Sequence, residues 1–164
     1  MALFWQNPLA GLARLEQGMA ALQTLQAQEA RASQLAGLAG MYAHVGHLQA
    51  GVRLVQEAMT VAHRTEERYA EAQRYRTMGD LLRRQTPFDG QQVEYCLQQA
   101  LTIAQRQHAK GWELQAAMSL SRLWQQQGKR PEAHELLAAV YARFTEGFMT
   151  TDLQQARVLL EQLV

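Results

Sequence analysis

The clearest rhythm of apolar and polar positions lies in residues 113–148, ELQAAMSLSRLWQQQGKRPEAHELLAAVYARFTEGF. Ala117, Leu120, Ser121 and Trp124 recur at the spacing that gathers side chains on one face of a helix. Gly128 ends that helix, because glycine enters the left-handed backbone of a helix C-terminus without steric cost. Pro131 opens the next helix at its first position, where no amide hydrogen is needed. Ala133, Leu137 and Val140 then form a return face, so the stretch predicts a helical hairpin. The same reading upstream predicts a helix from Pro8 to about residue 27, with Leu9, Leu12, Leu15, Met19, Leu22 and Leu25 on a broad apolar arc. Helices over 31–45 and 48–62 flank a turn at Gly46-His47. Thr65 is expected to cap a fourth helix, with Glu66 and Glu67 in its first turn, where the helix dipole favours acids. That helix carries Tyr75, Met78, Gly79 and Leu82 and stops before Pro87. A turn in QTPFDG, a helix over 91–108, a break at Lys110-Gly111 and a last helix over 153–163 complete the chain.

These hairpins repeat in phase. The small residue of each first helix falls at Ala39, Gly79 and Ser121, steps of 40 and 42 residues. The large residue three positions on falls at Tyr42, Leu82 and Trp124. Second-helix positions recur at Gly51, Val93 and Ala133, and again at Ala58, Ala100 and Val140. The order resembles the tetratricopeptide repeat, with a period longer than its roughly 34 residues. The resemblance implies an all-α, right-handed solenoid of stacked hairpins, each burying its neighbour's apolar face. The expected divisions are a half repeat at 1–30, repeats at 31–65, 66–110 and 111–148, and a capping helix at 149–164. Gly11 and Gly18 stand 40 residues before Gly51 and Ala58, so the first helix matches a second helix whose partner is reduced to MALFW.

Composition agrees with this picture. Ala, Leu and Gln are abundant, prolines number three, and β-branched residues are sparse, which favours helices over sheet. At 164 residues the chain reads as one domain with a real core. A net charge of +1 gives no overall attraction to nucleic acid or acidic membrane. A single cysteine, Cys96, rules out an intramolecular disulfide and suits a reducing compartment. The start, MALFWQNPLAGLARLEQ, is a poor signal peptide, and no stretch nears the roughly 20 apolar residues of a spanning helix. A cytoplasmic protein is expected.

From about Leu9 onward the chain resembles the C-terminal repeat region of large bacterial predicted ATPases, including those with a nucleotide cyclase domain. The most specific segment is LQAAMSLSRLWQQQGKRPEAHELLAAVYARFTEGFMTTDLQQARVLLEQL, with TEERYAEAQRYRTMGDLL resembling the preceding repeat. The resemblance implies a non-catalytic interaction or regulatory module, because the family's catalytic parts lie upstream of this region. The residues agree, since no GxxxxGK[ST] phosphate loop and no GxSxG occurs. No enzymatic activity and no cofactor are expected. His44 and His47 are three apart, with no further ligand nearby in sequence to complete a metal site. Cys96 sits beside the core position Leu97 and reads as a small buried hydrophobe.

The repeat register places a candidate binding face on the first helices. Its inward positions are Ala36, Gly40, Ala43 and His44, then Gln73, Arg76, Asp80, Arg83 and Arg84, then Gln115, Met118, Arg122, Gln125 and Gln126. Arg76, Arg83, Arg84 and Arg122 suit the carboxylates of a protein or peptide partner, with the alternative that Arg83 and Arg84 form a solvated helix end favoured by the helix dipole. Ala36, Gly40 and Thr77 stand where chaperone-tail-binding domains of this repeat class carry a lysine–asparagine clamp, so that partner class is rejected. The alternative is a nucleic-acid-binding face on the same arginines, weakened by the near-zero net charge and the lack of interleaved aromatics. The apolar N-terminal edge, Leu3, Phe4 and Trp5, calls for a cover, either a preceding domain in a longer protein or a second copy, and a two-fold homodimer is expected for this chain.

Overall fold

The computed structural model describes residues 10, 11, 13, 14, 16–18, 20 and 31–164. Leu3, Phe4 and Trp5, and the dimer edge expected on them, lie outside the described residues. The chain from residue 31 onward forms α1 (Arg31–His44), α2 (Leu48–Thr65), α3 (Glu71–Leu82), α4 (Gly90–Arg106), α5 (Lys110–Gln126), α6 (Arg130–Tyr141) and α7 (Thr151–Leu163). The described residues before Arg31 are helical too, and no strand occurs among the described residues.

Most helix boundaries follow from local chemistry. Asp89 caps α4 by accepting hydrogen bonds from the amides of Gln91 and Gln92, at 3.0 and 3.1 Å. Gly128 takes φ +80° after α5, and Pro131 sits in the first turn of α6. Two expectations are corrected. Thr65 does not cap the next helix: it is the last residue of α2, and its hydroxyl donates back to the Val61 carbonyl at 3.0 Å. Glu66 adopts the left-handed backbone at φ 54°, and α3 starts only at Glu71. Glu67 is thereby kept outside the helix, where its side chain reaches Arg74 and Ser33. The break after α4 is not at Lys110-Gly111, which are the first residues of α5. His108 makes the turn at φ 53°, and the Ala109 amide closes it on the Ala104 carbonyl at 2.9 Å.

Consecutive helices pack on one another throughout. Beyond these neighbours, α1 touches α3, α3 touches α5 and α5 touches α7. The even helices α2, α4 and α6 make no such contacts with one another. The odd helices thus form a continuous row, with the even helices set behind it.

The recurring small residues sit where paired helices approach closely. Ala39, Gly79 and Ser121 are all buried. A Cβ on Gly79 would stand 2.6 Å from Leu97 Cδ2, and one on Gly51 would stand 3.1 Å from the Ala39 carbonyl oxygen. Ser121 donates its hydroxyl to the Ala133 carbonyl at 3.0 Å, so a polar residue is satisfied at the third crossing. Ala58, Ala100 and Val140 are buried at the second recurring position. No helix among the described residues is long and apolar enough to cross a membrane.

Candidate functional site

The odd row carries a groove of about 340 Å³. Gly40, Ala43 and His44 of α1 line one side, Arg76, Thr77, Asp80 and Leu81 of α3 with the following Arg83 and Arg84 form its floor, and Arg122 of α5 closes the other side. The sequence brings these residues together because Arg76, Asp80 and Arg83 are spaced four and three apart, on one face of α3 and its C-terminal turn. A Cβ on Gly40 would meet nothing within 4 Å, so this glycine keeps the groove wall low.

Four arginines and one aspartate line this groove. Arg76 Nη1 donates to Asp80 at 2.7 Å, and its Nε donates to Gln73 at 3.3 Å. The Ser119 hydroxyl also donates to Asp80, at 3.2 Å. Arg84 Nη1 spans to the Ala43 carbonyl at 2.6 Å, tying the end of α3 to the end of α1. Burial pushes the pKa of Arg122 below the ordinary arginine value; Asp80 opposes that shift, while Arg83 and Arg76 add to it. The lowering records positive charge gathered in partly desolvated surroundings.

Several expected positions do not belong to this surface. Met118 is corrected: it is only 3% exposed and packs in the core with Leu114, Leu137 and Leu153, so no partner can reach it. Ala36 is likewise buried, against Ala32, Ala58 and Val61. Gln115 donates to Asp152 at 2.7 Å and links α5 to α7. Gln125 is half-buried and Gln126 exposed, and neither lines the groove. The register erred at Met118 because α7 covers that turn of α5.

The same helix supplies a second hollow, of about 300 Å³, that the sequence reading missed. It lies against Arg122 and is lined by Thr151, Gln154, Gln155, Val158, Leu159 and Gln162 of α7. Its signal was the place of α7 in the odd row, which periodicity at the third repeat does not reveal.

Two buried charges outside the groove also escaped the sequence reading. Arg74 is 2% exposed; it donates to the Glu67 carbonyl at 2.6 Å and to its carboxylate at 3.3 Å. Glu113 is 2% exposed and accepts from Arg143 at 2.5 Å and from Gln105 at 3.2 Å. Helical spacing marks neither, since Glu67 lies in the turn before α3 and Arg143 lies 30 residues from Glu113.

The remaining candidates behave as structural residues. Cys96 is buried, and burial raises the pKa of its thiol. Trp124 donates its indole N–H to Glu94 at 2.7 Å. No three His, Cys, Asp or Glu side chains form a metal-ligating group among the described residues.

No protein-family model matches the chain. No curated protein matches it either.

Proposed function

We propose that this protein is a non-catalytic protein-interaction module, built as a solenoid of tetratricopeptide-like hairpins, that binds an acidic segment of a protein partner in its odd-helix groove. The observation that carries the reading is the groove itself, which is lined by four arginines, from α3, the turn that follows it and α5, and by a single aspartate. Contacts along the odd row with none along the even row support a stack that curves toward the odd helices, making this the inner face. The resemblance of the closing segment to bacterial predicted ATPases and cyclases supports a regulatory role beside such an enzyme in the cytoplasm.

A fluorescein-labelled oligoglutamate peptide tests the reading by anisotropy. Binding is expected, together with its loss when Arg76, Arg83, Arg84 and Arg122 are all replaced by glutamine. A steep salt dependence with random duplex DNA and no peptide binding would favour nucleic acid instead. Nucleotide hydrolysis by the pure protein that survives the four replacements would also overturn the proposal.

A further inference from the structure

The four groove arginines are not equivalent. Arg76 is engaged by Asp80 and Gln73, and Arg84 by the Ala43 carbonyl. The side chains of Arg83 and Arg122 make no hydrogen bond or ion pair with a described residue, whereas the Arg83 amide is held in the helical turn by the Gly79 carbonyl. The Arg83 Nε atom is shielded from water and has no acceptor among the described residues. Arg122 is half-buried at the junction of the two hollows. A shielded guanidinium N–H without an acceptor is costly, so native structures supply it with a water, an ion or a ligand group, and an incoming anion serves that need at this position.

The charge is also local. The groove carries four guanidiniums and one carboxylate, yet the whole chain carries only +1. Past Arg122 the path continues along α7 between the amides of Gln154, Gln155 and Gln162 and the half-exposed Val158, with no further cation. A nucleic-acid strand bears a charge at every step and would meet nothing there. A lone anion needs no such extension. A peptide with charge at one point and a neutral stretch beside it matches both halves.

We infer that Arg83 and Arg122 form a two-pronged site for two neighbouring acidic side chains on an extended peptide, one carboxylate to each guanidinium. Asp80 is the built-in counter-ion: it holds Arg76 in place beside the site and competes with the incoming charge. Arginine suits this occupant, since its planar fork meets the two oxygens of a carboxylate as a pair. The neutral hollow along α7 takes the flanking residues, with their backbone on the glutamine amides and one apolar side chain on Val158. This inference rests on the groove being the partner-binding face.

The test uses three labelled peptides with identical neutral flanks, carrying Glu-Glu, phosphoserine or Gln-Gln at the centre. Their anisotropy is followed against the parent protein and R83Q, R122Q, R122K and D80N, each checked for an unchanged helical spectrum and melting transition. The Glu-Glu peptide is expected to bind, with Gln-Gln about tenfold weaker or worse. Binding of the phosphoserine peptide alone overturns the acidic pair as occupant. R83Q and R122Q should each weaken binding about tenfold, the loss of a charge-assisted hydrogen bond. R122K should fall between R122Q and the parent, keeping the charge but not the fork. D80N should tighten binding. Unchanged affinity in R83Q and R122Q, with binding still abolished in the fourfold variant, overturns the two-pronged site and leaves the groove as the binding face. Weakening by D80N equal to that of R83Q overturns the counter-ion role. Inorganic phosphate binding as tightly as the Glu-Glu peptide overturns the peptide as occupant. Duplex DNA binding in place of all three peptides overturns both this inference and the function it rests on.

Discussion

Arg74 and Arg76 lie two residues apart on α3 and face opposite sides of it. Arg74 points into the junction with α2, where Glu67 supplies a backbone carbonyl and a carboxylate and Ser33 donates to that same carboxylate at 2.6 Å. Arg76 lies in the groove, where Asp80 is its ion partner and water has access. Burial lowers the pKa of Arg74, and Glu67 and Glu71 oppose that shift. The difference teaches that arginine serves two ends on one helix. Where a neighbouring segment supplies both a carboxylate and a carbonyl to a buried guanidinium, the charge holds the fold together. Where donors outnumber acceptors, the charge is available to a partner.

The comparison breaks most sharply at the buried face. Arg74→Ala leaves Glu67 without its cation and opens space at the junction, so a loss of about 3 kcal/mol is expected in chemical denaturation. A loss under about 1 kcal/mol would show that Glu67 is fully served by Ser33 and water.

Two glycines of the odd row sharpen the contrast between packed and open sites. Gly79→Ala drives a Cβ into Leu97 and should cost about 1–3 kcal/mol. Gly40→Ala enters open space on a helix and should stabilise by about 0.5–1 kcal/mol. Thermal melts of the two variants should shift in opposite directions, and shifts of the same sign would dismiss the assigned close approach.

On the groove face, Arg83→Ala should change stability by no more than about 0.5 kcal/mol, since no fold contact depends on its charge. Arg76→Ala should cost about 0.3–0.5 kcal/mol, the value of an i,i+4 ion pair on a helix. Larger losses in urea unfolding would move these residues to the structural side of the comparison.

The smallest effect concerns Cys96. Its raised pKa keeps the thiol protonated near neutrality, so a thiol-specific reagent at pH 8 should label native protein slowly and denatured protein at once. The neutral thiol contributes to stability below its unfolded pKa of about 8.5, and that contribution should fade as pH rises above it. Rapid labelling of native protein would place the cysteine at the surface.

Much of the helix pattern was legible in the residues. The α5–α6 turn was readable because Gly128 and Pro131 act within a few residues of themselves. The recurrence of Ala39, Gly79 and Ser121 marked three close crossings, because a small residue is needed wherever two backbones approach. The arginine face was visible in part, since helical spacing alone aligns Arg76, Asp80 and Arg83. Thr65 and Lys110-Gly111 misled because capping and breaking residues signal a boundary without fixing which side of it they occupy. Glu66 and His108 make those turns instead, both in a backbone region that sequence propensity assigns to glycine.

Local spacing therefore decided the all-helical class, the hairpin phase and the side of α3 that carries the groove. The arrangement of charges was decided by residues far apart in the chain. Arg84 reaches Ala43 across 41 positions, Ser119 reaches Asp80 across 39, and Glu113 meets Arg143 across 30. The burial of Met118 likewise depends on α7 lying over it. Whether a charge is buried, paired or left waiting is set by what other helices bring over it, because desolvation depends on the whole packed surroundings and not on the neighbours in sequence.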